Sequence, residues 1–144
     1  MNTRHVPDLE LCQAFDTLCK EKNITIPETE HVWVLSAPFF DGNHSERDIV
    51  MNPNEYQELI ENVGENVYDI LPAPLVSELG ERLPPAIKVK DALAYLKYVP
   101  HSDKQTDVIY SKVGWFHQES DHKEANARIK MLNYLLAEGI ITTL

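Results

Sequence analysis

The stretch "FHQESDHKEANARIK" sets His117 and His122 around Glu119 and Asp121. Imidazoles and carboxylates bind divalent metals and move protons near neutral pH, so no other segment is as suggestive of chemistry. A zinc site needs converging ligands, usually a helical i,i+4 pair or close loop ligands plus a distant third. Here the two histidines are five apart and straddle a helix start, and nothing in the sequence brings His44 or His101 to them. Asp121 and Glu124 have the spacing of a capping box, which predicts that the acids open a helix. His117 then falls in the preceding turn and His122 in the first helical turn. A metal-dependent enzyme using His117 and His122 stands as the third reading, and no catalytic residue, metal or cofactor is expected.

Other catalytic signatures are missing. There is no G-x-S-x-G, no G-x-x-x-x-G-K-[ST] and no G-x-G-x-x-G. With 5 glycines in 144 residues, the chain has little material for a loop built on close backbone approach.

The elements that must position these residues are read from periodicity. Leu11, Cys12, Phe15, Leu18 and Cys19 form one stripe of a helix over 8–22, with Asn23 as its stop. Cys12 and Cys19 would lie roughly 10 Å apart along that helix, beyond disulfide reach, and are read as reduced and buried. Val32 to Leu35 are strand formers, and "RDIVM" can return as the second strand of a hairpin. Asn52, Pro53 and Glu55 open a helix expected to run to Leu71, burying Tyr56, Leu59, Ile60, Val63 and Val67. Prolines at 72, 74, 84 and 85 bracket a short helix, 75–82. A second helix should carry Val89, Ala92, Leu93, Leu96 and Val99 inward, and a third should span 105–115. Ile129, Leu132 and Leu136 mark the last helix, Gly139 ends it, and "IITTL" is strand-like.

From these elements the expected class is α+β and predominantly helical. A small hairpin or sheet belongs to the N-terminal half, and 1–144 is one domain with a sub-domain seam at 83–86. Read as helix, helix, turn, long helix and strand, residues 87–144 resemble the core of a winged-helix domain, carried by "RIKMLNYLLAEGIITTL". The resemblance implies a recognition helix in which His122, Lys123, Asn126, Arg128 and Lys130 face a groove or phosphates. Winged helices also serve as protein-interaction modules.

Charge argues against tight DNA binding. The net charge is −10. Residues 1–85 hold 5 basic and 16 acidic groups (−11), and residues 86–144 hold 8 and 7 (+1). An acidic half repels phosphate and steers basic partners inward. No run approaches the roughly 18 apolar residues of a membrane span, and the first residues lack a secretory h-region, so a cytoplasmic protein is expected.

The leading expectation is a non-enzymatic protein that binds a basic protein partner, in the manner of immunity, inhibitor or adaptor proteins. Its contacts would be Glu58, Glu61 and Glu65, with Phe39 and Phe40 as anchors and Trp33 as a weaker candidate. A homodimer is compatible with this reading, and a winged-helix transcription regulator is the alternative. The charge arrangement has a direct test. An anisotropy titration with duplex DNA at about 150 mM salt should show no sub-micromolar, sequence-selective binding, and such binding would favour the regulator.

Overall fold

The computed structural model describes residues 4–36, 49–52, 54–55, 57–58, 61 and 68–144. Helix α1 (Leu9–Glu21) keeps the expected stripe, with Cys12, Phe15 and Cys19 buried. Asn23 follows it at φ 55°, and the Ile24 N–H returns to the Cys19 carbonyl at 2.8 Å. Burial pushes the Cys12 thiol up to about 12 and the Cys19 thiol to about 11, so both remain protonated, unreactive core residues.

Strands β1 (His31–Ser36) and β2 (Ile49–Met51) pair antiparallel, with Trp33 opposite Val50. Strand β3 (Tyr68–Ala73) pairs along the other side of β1, giving the order β2-β1-β3. Residues 54, 55, 57, 58 and 61 are helical. The start of that helix is capped reciprocally: Asn52 Oδ1 accepts the Glu55 N–H at 3.0 Å, and Glu55 Oε2 accepts the Asn52 N–H at 3.2 Å. The helix does not reach Leu71, however, because Ile70 and Leu71 belong to β3. Of its expected stripe, Tyr56, Leu59, Ile60, Val63 and Val67 lie outside the described residues.

Beyond α2 (Val76–Arg82) the expected helices give way to a four-stranded antiparallel meander. Its strands are β4 (Ala86–Val89), β5 (Ala92–Pro100), β6 (Thr106–Lys112) and β7 (Trp115–Asp121). Lys90 and Asp91, both at positive φ, form the two-residue turn from β4 to β5. Gly114, at φ 80°, lies in the turn from β6 to β7. The chain is thus about 34% helix and 33% strand, which corrects the expected predominance of helix. The winged-helix-like C-terminal part is corrected as well, since residues 86–121 form a β-meander. Residues 141–144 form no strand.

Helix α3 (Glu124–Ala137) occupies the centre. It packs against α1, α2, β6 and β7. Accordingly Ala125, Ala127, Ile129, Met131, Leu132, Leu135 and Leu136 are all fully buried, around most of its circumference. A helix buried over so much of its surface belongs to a core rather than to a nucleic-acid groove, and its half-buried positions hold Glu124, Arg128, Lys130 and Asn133. Its end is a Schellman arrangement: Ile140 N–H reaches the Leu135 carbonyl at 2.9 Å and Gly139 N–H the Leu136 carbonyl at 3.1 Å. Gly139 supplies the left-handed residue at φ 69°.

One polar clamp ties α1 to this centre. Asn126, only 4% exposed, accepts the Asp8 N–H at 2.8 Å and donates to Asp8 Oδ2 at 2.8 Å. Truncating it strands the Asp8 N–H, a loss of about 1–3 kcal/mol for a part-buried group. Asn126→Ala is therefore expected to lower the urea midpoint by that amount with an unchanged denaturant slope, and to loosen the α1 amides in hydrogen exchange. A loss below about 0.5 kcal/mol would show that the clamp does not hold α1.

Candidate functional site

His117 and His122 do not meet in a common site. His117 lies in β7, not in a turn, with Nε2 2.5 Å from Glu119 Oε2. Its ring stacks on Tyr134, centroids 3.4 Å apart and planes 4° from parallel. His122 is exposed in the junction before α3. The expected capping box is also displaced. The N-cap is Lys123, and Asp121 Oδ1 accepts the Lys123 N–H at 2.9 Å. Among the described residues no three His, Cys, Asp or Glu side chains are placed to hold a metal ion.

The residues aligned with a recognition helix are mostly engaged inside the molecule. Lys123 pairs with Asp8 at 2.8 Å and Lys130 with Asp121 at 2.8 Å. Arg128 bonds Glu124 and the Val76 carbonyl while its guanidinium lies 4.5 Å above the Tyr98 ring. Gly80 makes room for it, since a side chain there would collide with the Arg128 guanidinium. Asn126 is the clamp described above. A cleft of about 790 Å³ beside the start of α3 is lined by Arg4, His5, Lys104 and His122. The three carboxylates of that cleft, Asp8, Asp121 and Glu124, already hold Lys123, Lys130 and Arg128.

Of the residues expected to bind a protein, Glu58 and Glu61 are exposed. Phe39, Phe40 and Glu65 lie outside the described residues. Trp33 is buried, its indole N–H bonded to the Pro7 carbonyl at 3.1 Å, so it is a core residue.

The open ground is the face of the meander turned away from α3. Strand pairing sorts the side chains, because residues directly opposite each other project to the same face. The inward set includes Ile87, Ala94, Val108 and Tyr110, all buried. The outward set forms rows across the sheet. One row is Ala86, Tyr95, Ser111 and Phe116; the next is Lys97, Ile109 and Gln118; a third is Val99, Asp107 and Ser120. Leu93 and Lys88 face each other beyond the first row. Leu93 is 51% exposed, Tyr95 60% and Phe116 69%, and Val113 in the adjoining turn is fully exposed. Large apolar side chains clustered in the open are a mark of a contact surface, where isolated ones are not.

At the end of this face stands a polar group that the sequence did not signal. Asp107 Oδ2 lies 2.6 Å from His101 Nε2, and Asp107 Oδ1 accepts from Ser120 Oγ at 2.6 Å and from Gln105 Nε2 at 3.2 Å. The residue types are those of a hydrolytic triad, but the order is wrong. The carboxylate sits in the middle, so the imidazole makes no bond to the hydroxyl and cannot act as its base. The group anchors the β5–β6 hairpin instead. The Ser120 and His101 hydrogen bonds hold the Asp107 carboxyl below its ordinary value, and the Asp107 hydrogen bond raises His101.

Set against known proteins, the chain matches no family model, no curated protein and no solved structure.

The two shifts fix a pH response. Because His101 is raised, its contribution is fully present below the ordinary value of 6.5 and is lost as pH rises through the folded-state pKa. Because Asp107 is lowered, its contribution is present above 3.8 and is lost as pH falls through its own folded-state pKa. An NMR titration should place the His101 midpoint above 6.5, and Asp107→Asn should bring it down. A midpoint unmoved by that substitution would refute the pairing in solution.

Proposed function

We propose that this protein acts without catalysis, by docking the open face of its four-stranded sheet on a protein partner. The observation that carries this reading is the exposure of Leu93, Tyr95 and Phe116 on one uncovered sheet face. Burying such groups against a partner removes apolar surface from water at about 25 cal/mol per Å², and aromatic side chains are the usual anchors of contact surfaces. The order of His101, Asp107 and Ser120 supports the non-catalytic part, since the carboxylate lies between the other two and the imidazole has no hydroxyl to deprotonate.

A second reading, a basic partner held by an acidic helix, is favoured by the exposure of Glu58 and Glu61. The two readings place the contact on different surfaces, so substitutions separate them. Leu93→Glu/Phe116→Glu sits on exposed positions and should leave melting nearly unchanged. It should also abolish retention of whatever protein the wild type captures from native lysate, while Glu58→Gln/Glu61→Gln retains it. The reverse pattern would move the interface to the helix and return the partner to the basic class. Equal retention by both variants would sink both assignments.

A further inference from the structure

The outer face carries more than apolar area. Tyr95 and Phe116 sit in the same row, two strands apart, with the small Ser111 between them. At about 4.8 Å per strand their Cα atoms are roughly 10 Å apart, and Ser111 leaves the space between the rings low. Aromatic pairs prefer centroid separations of about 4.5–7 Å, so this spacing admits one further ring in contact with both. The next row adds Lys97 and Gln118. Lys88 stands on the same face beside Leu93. The carboxylate in the three outward rows, Asp107, is occupied by His101, Ser120 and Gln105. On a chain of net charge −10, the strand rows of this face therefore present cations with no free acid among their described residues, the nearest exposed acids being Asp91 and Asp103 in the turns at its ends.

We infer that Tyr95, Ser111 and Phe116 form a slot for an aromatic side chain of the partner, and that Lys97 takes a carboxylate next to it. This rests on the sheet-face reading above and names its occupant: a protein segment in which an aromatic residue is flanked by acidic ones. The ring stacks between Tyr95 and Phe116 over Ser111. The Lys97 ammonium meets a flanking carboxylate, Gln118 offers the amide hydrogen left over from its bond to Ser120 Oγ, and Lys88 extends the same complementarity along the edge. A nucleobase has the right shape for the slot, but a phosphate chain needs sustained neutralisation. Two lysines on an acidic protein do not provide it.

The test is an amide NMR titration of the intact protein with acetyl-Glu-Glu-Tyr-Glu-Glu-amide. Three probes run beside it: the same peptide with Leu for Tyr, the same peptide with Lys for Glu, and hexauridylate. The Tyr–Glu peptide should shift the amides around Tyr95, Ser111 and Phe116 and bind most tightly. Tyr95→Leu/Phe116→Leu keeps the face apolar while removing both rings, and should weaken it about tenfold, as should Lys97→Glu. Equal binding of the Leu peptide, or no effect of the ring substitutions, would overturn the slot. The docking face would still stand if Leu93→Glu/Phe116→Glu abolished capture of a partner. Tighter binding of hexauridylate would overturn the inference in favour of single-stranded nucleic acid, and tighter binding of the Lys peptide in favour of a basic partner. Failure of every probe to bind would also overturn it.

Discussion

Helix α3 is buried over most of its surface, and the rest of the structure is arranged around that constraint. It is packed by α1, by α2 and by the inner face of the meander. Most polar groups it carries into those interfaces find a local partner, because an unpaired buried polar group costs more than a made hydrogen bond returns; Asn133 Oδ1 and Arg128 Nε are buried without one. Asn126 finds the Asp8 backbone, Arg128 finds Glu124 and the Val76 carbonyl, and Lys130 finds Asp121. Those bonds attach α1, α2 and the end of β7 to one helix.

A consequence is that the residues most suggestive of binding are unavailable for it. Lys123, Arg128 and Lys130 read as a basic strip along the chain, yet each neutralises an acid of the same molecule. The opposite holds on the outer face of the meander. No element of the described chain packs there, and the side chains left uncovered are aromatic, aliphatic and cationic. The charges of α3 are thus paired within the molecule on one side of the sheet, while aromatic, aliphatic and lysine side chains stand uncovered on the other.

That division explains which parts of the chain were legible. Helix α1, the β1–β2 pairing, the Asn52–Glu55 cap and the stop at Gly139 are local: each follows from a periodic stripe or a capping residue. The meander escapes a local reading for a physical reason. A half-buried strand announces itself by apolar and polar alternation, and β5 lacks it. Its inward Ala94, Leu96 and Tyr98 alternate with Leu93, Tyr95, Lys97 and Val99, of which only Lys97 is charged. Val89, Ala92, Leu93, Leu96 and Val99 then fall by accident at helical spacing. The turn at Lys90–Asp91 gave no warning either, because both residues take positive φ without the glycine or asparagine that usually marks such a hairpin. The local rule fails in β5 because apolar side chains stand on both of its faces.

Composition and short-range pattern by themselves determined the acidity, the reduced and buried cysteines, the N-terminal helix, the first strands and the final helix with its glycine stop. These depend on residues within one or two turns of each other. Only the tertiary structure decided that residues 86–121 are strands, that Asn126 is a clamp instead of a groove contact, and that His117 and His122 part company. It also set Asp107 between His101 and Ser120. Each of these depends on partners brought from distant points of the chain, such as Asp8 to Asn126, or on which face of a strand meets α3. Spacing along a sequence carries neither kind of information.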